Sequence, residues 1–152
     1  METREPPSLL NRVIGPPLFL IGGVFTSLWF FFRAFVLMQN ISAPIVLFDK
    51  GSYYMLGAGV SLLTIGFVTA IEFWGGKPVT SKQNTVFSRL AISGVILLLV
   101  VPHIAHFSAD KYLTKHGYAV CKAASHQWLF VRDIVYIQPS VECRADLKKE
   151  MK

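Results

Sequence analysis

Three long apolar stretches alternate with polar segments along the chain. The clearest stretch runs from residue 90 to 107 and contains no Asp, Glu, Lys or Arg, although charged residues stand close to both of its ends. About 18 residues at roughly 1.5 Å each cover most of a hydrocarbon layer that is ~30 Å thick. Together with the two earlier stretches, this pattern predicts three membrane-spanning helices at about residues 13–38, 54–74 and 89–107.

Polar segments flank and join these spans. We expect residues 1–12 to form a short N-terminal lead, residues 13–107 a three-helix transmembrane domain and residues 108–152 a C-terminal tail. No small-residue cleavage site closes the first apolar stretch, so we predict an uncleaved span. The shorter apolar stretch 41–48 cannot cross a membrane, and we expect it to lie in the interface or to re-enter the bilayer.

Composition agrees with a membrane protein. Of the residues, 53% are hydrophobic and the mean hydropathy is +0.47, which is above the usual range of a soluble domain. The net charge of +6 is spread over loops and tail, without a basic helix or interleaved aromatic residues. Nucleic-acid binding is therefore not predicted. The sequence predicts an integral membrane protein in contact with the lipid bilayer.

Basic residues predict the orientation of the chain. The connection 75–88 contains two lysines and is followed by Arg89, and the positive-inside rule places such a loop in the cytoplasm. Arg4 and Arg12 give the N-terminal lead the same preference, and two spans separate the two regions. The tail is basic as well, but domain-sized segments cross largely regardless of charge. We therefore expect a bacterial inner-membrane protein with a cytoplasmic N-terminus and a periplasmic tail.

The tail contains both cysteines of the chain, Cys121 and Cys143. Cysteines confined to an external segment suggest a disulfide, and closing a loop of about 22 residues would contribute roughly 3 kcal/mol. A thiol-redox role would require a C-x-x-C pair, which the sequence lacks. The strand-favouring stretch 127–137 and a partner at 117–122 predict a small hairpin or three-stranded sheet, followed by a polar helical turn at 145–152.

Several residues are candidates for contacts with a protein partner. Small residues spaced four apart in the second span would let a neighbouring helix pack closely. A cation inside the first apolar pattern suits either an interfacial position or an ion pair. Aromatic residues of the tail suit packing on the disulfide, the membrane surface or a contact face. The candidates are Arg33, Asp49, Lys50, Gly57, Ser61, Gly66, Ala70, Trp128, Phe130 and Tyr136.

Residues that could carry chemistry are few. His103 and His106 share one face of the third span, but a metal site would need two further ligands, and their spacing matches no known zinc or haem motif. We expect both histidines to serve packing or the membrane interface. The sequence contains no nucleophile elbow, glycine-rich phosphate loop or H-E-x-x-H motif. It therefore predicts no enzyme, no cofactor and no metal.

The junction of the third span and the tail resembles a known family. Leu113, Gly117, Tyr118, Cys121 and Cys143 follow its pattern, L-x-x-x-G-Y-x-x-C with a later closing cysteine. The family consists of small, mostly uncharacterised inner-membrane proteins of enterobacteria and their relatives, with three spans and a short external tail. Its layout is similar to that of membrane immunity proteins, which protect a bacterium from a toxin. The resemblance implies direct toxin binding, with an accessory or regulatory subunit of a larger envelope complex as the alternative.

Overall fold

Three long helices dominate the molecule. A computed structural model describes residues 9–76, 78–128 and 131–147. The helices are α1 (Leu9–Asn40), α2 (Lys50–Phe73) and α3 (Ser81–Lys115). All three are long and apolar enough to cross a membrane. The predicted class, an integral membrane protein with three membrane-spanning helices, is confirmed.

Helix α3 extends beyond the predicted span at both ends. It begins at Ser81 because Thr80 forms a capping box: the Thr80 side chain accepts a hydrogen bond from the Gln83 N–H, and the Gln83 side chain accepts one from the Thr80 N–H. It ends at Lys115, and Gly117 follows with φ 82°, a conformation that favours glycine. Part of the predicted connection 75–88 is therefore helical.

Helix α2 packs against α1 on one side and against α3 on the other. Glycines permit both contacts. A Cβ added at Gly59 would overlap the side chain of Ser27 on α1, and a Cβ added at Gly57 would overlap the backbone of Leu98 on α3. Because helices in lipid associate through close packing, α2 is the helix on which the bundle is assembled.

A small antiparallel sheet lies at one end of the bundle. Its strands are β1 (Ile45–Asp49), β2 (Ala119–Val120), β3 (His126–Trp128) and β4 (Val131–Ile137). The central strand β4 pairs with β1 along one edge and with β2 and β3 along the other. We refer to the four strands together with the loop between Cys121 and Cys143 as the cap.

Strand β1 adds a feature that the sequence did not predict for residues 41–48. Residues 45–49 form a strand of the cap, and an interfacial or re-entrant position of this stretch stays a prediction. The reason is alternating burial: Val46 and Phe48 are buried, and the backbone pairs with β4. The predicted tail strands are present, with the stretch 127–137 divided between β3 and β4.

The sheet has a buried cluster on each face. One cluster joins the cap to the bundle and contains Val46, Phe48, Tyr53, Ala109, Leu113, Tyr118, Ile134 and Tyr136. The other surrounds the disulfide and contains Cys121, Ala124, Val135, Ile137 and Leu147. The Cys121–Cys143 bond, with Cα atoms 5.4 Å apart, confirms the predicted disulfide.

The predicted polar turn at residues 145–152 is described only as far as residue 147. In that part Leu147 is 2% exposed and packs in the disulfide cluster. Residues 148–152 lie outside the described residues. The described start of this segment therefore belongs to the core of the cap.

Candidate functional site

A cavity of about 250 Å³ opens between helix α1 and strand β1. Its α1 wall uses positions spaced three and four residues apart, which share one face of a helix. We call this cavity the groove; it is lined by Arg33, Val36, Leu37 and Asn40 of α1, by Ile45–Asp49 of β1 and by Tyr53. The groove therefore lies where the cap meets the bundle, and it includes two of the predicted contact residues.

An ion pair closes one end of the groove. The Arg33 Nη2 atom lies 3.4 Å from Asp49 Oδ2, and the two side chains are 25% and 24% exposed. Asp49 also caps α2, because its Oδ1 accepts a hydrogen bond of 3.3 Å from the Ser52 N–H. The Ser52 hydroxyl donates to the same carboxylate and accepts from the Trp29 indole N–H. The structure thus shows Arg33 in an ion pair, and its position relative to the membrane interface stays a prediction.

Lys50 follows Asp49 in the chain, is the first residue of helix α2 and is half-buried. The residues lining the groove include its neighbour Asp49 but not Lys50 itself. Of the three charged residues predicted to contact a partner, the structure thus brings together Arg33 and Asp49.

The small residues of α2 pack within the chain. Gly57 and Ser61 face Gly94 of α3, and Gly66 lies against Leu20 of α1. A partner helix could reach them only by displacing α1 or α3. In the structure these positions therefore serve packing of the bundle, and a contact with a partner stays a prediction.

Ala70, the last of the predicted small residues, is half-buried near the end of α2. Its carbonyl accepts hydrogen bonds from the N–H groups of Trp74 and Gly75. These bonds terminate the helix, so the Ala70 carbonyl already has its hydrogen-bond partners at the end of α2.

Tyr136 is fully buried in the cap, so it is not an exposed contact residue. Its hydroxyl donates a hydrogen bond of 2.8 Å to Asp110 Oδ1. Burial and this hydrogen bond raise the pKa of Tyr136 well above its usual value. Of the roles left open for this residue, the structure shows packing, but between the sheet and α3 and not beside the disulfide. Phe130 and the side chain of Trp128 lie outside the described residues.

The two histidines of α3 have separate surroundings. His103 Nδ1 lies 2.7 Å from the Leu99 carbonyl oxygen. The His106 ring lies beside the Phe48 ring of the cap, with centroids 5.7 Å apart. Among the described residues, no group of three or more His, Cys, Asp or Glu is placed to hold a metal ion.

The groove itself is the feature that sequence reasoning missed. Its signal was present in the run IVLF, whose β-branched and aromatic residues favour a strand, followed by Asp49 as a helix cap. The stretch 41–48 is apolar and too short to cross a membrane, which fits an interfacial or re-entrant segment as well.

Comparison with known protein families matches residues 11–144 to a family described as protein of unknown function DUF1240. The chain belongs to the DUF1240 family. The match includes nearly all of α1, the whole of α2, α3 and the sheet, and both cysteines. No curated protein and no solved structure matches the chain significantly. Membership of DUF1240 agrees with the predicted resemblance to an uncharacterised family.

Proposed function

We propose that this DUF1240 protein is an inner-membrane immunity protein that neutralises a bacterial toxin by direct binding. The observation that supports the proposal best is the groove, which lies between the cap and the bundle. The walls of the groove are a helix and a strand, and sites built on such elements hold their side chains more precisely than sites on loops. We propose that the protein acts by binding and catalyses no reaction.

The position of the cap favours a partner on one side of the membrane. Strand β1 follows the first helix and β4 lies in the tail, so their pairing brings the first connection and the tail to the same end of the bundle. The start of α3, which carries Lys82 and Arg89, lies at the other end. Under the positive-inside rule we propose that the cap is periplasmic and the N-terminus cytoplasmic.

The rigidity of the cap supports recognition rather than a flexible tether. The disulfide closes a loop with a sequence separation of 22 residues, and the Tyr118 hydroxyl donates a hydrogen bond of 2.9 Å to the Ala43 carbonyl of the first connection. Preorganised surfaces bind with a smaller entropic cost. The cap would thus present the groove to a toxin in one arrangement.

Protection of a sensitive strain tests the proposal. The strain expresses this chain and is challenged with the product of the gene immediately upstream. Val36→Trp adds a large side chain inside the groove, whereas Val100→Trp adds the same side chain on the surface of α3, where Val100 is 42% exposed. We expect survival with the native chain and with Val100→Trp, and loss of survival with Val36→Trp.

Two results would count against the proposal. A native chain that is inserted in the membrane but gives no protection would shift the function to an accessory or regulatory subunit of an envelope complex. Equal protection by the native chain and Val36→Trp would leave toxin neutralisation in place and remove the groove as its site.

A further inference from the structure

Among the strands that the structure describes, β1 pairs with β4 alone. Gln138 N–H donates a hydrogen bond of 3.0 Å to the Pro44 carbonyl, which makes this pair a hydrogen-bonded one at the end of the β1–β4 ladder. Hydrogen-bonded pairs alternate in antiparallel strands, so the pairs formed by Val46 and Phe48 with β4 are also bonded. The backbone N–H and C=O groups of Ile45 and Leu47 therefore point away from β4.

The other edge of β4 confirms this direction. Leu47 lies opposite Val135, and the Val135 carbonyl accepts a hydrogen bond of 2.8 Å from the Cys121 N–H. Val135 thus directs its backbone groups toward β2 and β3, not toward Leu47. Within the described parts of the chain, no hydrogen bond reaches the outward N–H groups of Ile45 and Leu47.

This free edge lines the groove. Ile45 and Leu47 form one wall together with the rest of β1, and Val36 and Leu37 of α1 stand on the other. The Arg33–Asp49 pair lies at one end. An unpaired edge strand readily accepts another strand, and proteins usually cover or interrupt such edges.

The chemistry of the groove fits an extended peptide. A strand edge offers one N–H and one C=O at every second residue, which matches the repeat of a peptide backbone. A lipid headgroup or a small molecule concentrates its polar atoms in one place.

We propose that β1 binds an extended segment of a partner protein as an added antiparallel or parallel strand of the cap. The bound segment directs apolar side chains, at alternate positions, against Val36 and Leu37. The hydrogen bonds to Ile45 and Leu47 supply affinity, and the α1 wall supplies specificity. This inference deepens the proposed function, on which it rests for the partner being a protein, by naming the way in which that protein binds.

The substitution Leu47→Pro tests whether a partner segment binds as an added strand. Leu47→Pro removes the outward N–H but no hydrogen bond to β4, because that N–H does not join the ladder. Leu47→Ala is the matched control, since it shortens the same side chain and retains the N–H. The probe is a displayed library of random peptides, panned on the purified full chain in detergent micelles.

We expect peptides selected on the native chain to bind Leu47→Ala with little change. They should bind Leu47→Pro roughly tenfold more weakly, because a hydrogen bond is lost and its partner group is left unpaired. If Leu47→Pro fails to accumulate with its disulfide formed, Ile45→Pro removes the neighbouring outward N–H at the first residue of the strand, where proline is tolerated, with Ile45→Ala as its control. Equal binding to the proline and alanine variants would overturn the inference, as would a failure to select any peptide on the native chain.

The protection assay separates this inference from the proposed function. Protection by the native chain and equally by Leu47→Pro would overturn the added strand and leave the immunity role intact. Peptides that require the Leu47 N–H, together with no protection by the native chain, would support the added strand and overturn the immunity role.

Discussion

The bundle and the cap are held together by different physical means. In the bundle, glycines bring α2 into backbone contact with its neighbours, as at Gly57 against Leu98. Lipid is as apolar as the side chains, so close packing rather than the hydrophobic effect favours this contact. In the cap, side chains such as Phe48 and Tyr136 are fully buried, and a disulfide adds a covalent link. Helix packing in the bundle therefore requires small residues at the contact positions, whereas the cap requires large buried side chains.

The stability of the cap depends on contacts with the bundle, whereas the stability of the bundle depends less on the cap. Its larger cluster includes Tyr53 of α2 and Leu113 of α3 beside the strand residues. A sheet of this size has too little core to be stable alone. Damage to the cap should consequently leave the three helices in the membrane, whereas damage to the bundle should disturb both regions.

The largest expected effect is in the cap. Phe48 is 0% exposed, and Phe48→Ala should lower the free energy of unfolding of the cap by about 4 kcal/mol through lost burial and a cavity. Phe67→Ala removes the same atoms from α2 where Phe67 is 54% exposed, and serves as the control. Limited proteolysis in micelles would measure opening of the cap. Equal resistance of Phe48→Ala and the native chain would contradict the burial of β1 against the helices.

The disulfide is expected to contribute slightly less than Phe48 to the stability of the cap. Removing it with Cys121→Ser and Cys143→Ser should cost the cap about 3 kcal/mol, because the unfolded segment regains the freedom of the closed loop. We expect a lower level of protein and unchanged helical content by circular dichroism. Full accumulation and native protease resistance of the double variant would show that the bond is not structural.

Adding one methyl group at Gly57 tests the packing of α2 against α3. Gly57→Ala places a Cβ into the backbone of Leu98, and overpacking of this kind costs about 2 kcal/mol. Gly15→Ala is the matched control on α1, where an added Cβ meets nothing within 4 Å. Unfolding in micelles, followed by tryptophan fluorescence, would compare the two. A Gly57→Ala variant as stable as Gly15→Ala would show that α2 and α3 do not pack at this glycine.

Sequence reasoning succeeded where a local pattern decides the structure. Hydropathy alone predicts the three helices, because crossing a membrane requires a long apolar segment. The restriction of Cys121 and Cys143 to the tail predicts the disulfide, since two cysteines allow one pairing. These features need no knowledge of how distant segments meet.

The cap and its groove required such knowledge. Strand β1 pairs with β4, which follows two helices later along the chain, so its pairing left no local pattern beyond a short apolar run. The groove arises because α1 continues to Asn40 and passes beside β1. Likewise, small residues such as Gly57 predicted that a neighbouring helix packs closely, but not which helix it is.

The smallest effect concerns a hydrogen bond between the two regions. Tyr136 of β4 donates to Asp110 of α3, and Tyr136→Phe should cost about 1–2 kcal/mol because the carboxylate loses its partner. Burial and this bond raise the pKa of Tyr136 above its usual value of about 10. The folded state thus retains a proton that the unfolded state loses above about pH 10, so this contribution is fully present below that pH and declines as the pH rises further.

The pH dependence distinguishes this bond from ordinary packing. We expect the difference in stability between the native chain and Tyr136→Phe to be constant near neutral pH and to shrink above about pH 10, where ionisation of the unfolded tyrosine penalises only the native chain. Unfolding in micelles at a series of alkaline pH values would measure it. A difference that did not change with pH would mean that Tyr136 joins the cap to α3 through the packing of its ring alone, and that its hydroxyl contributes nothing to holding the two regions together.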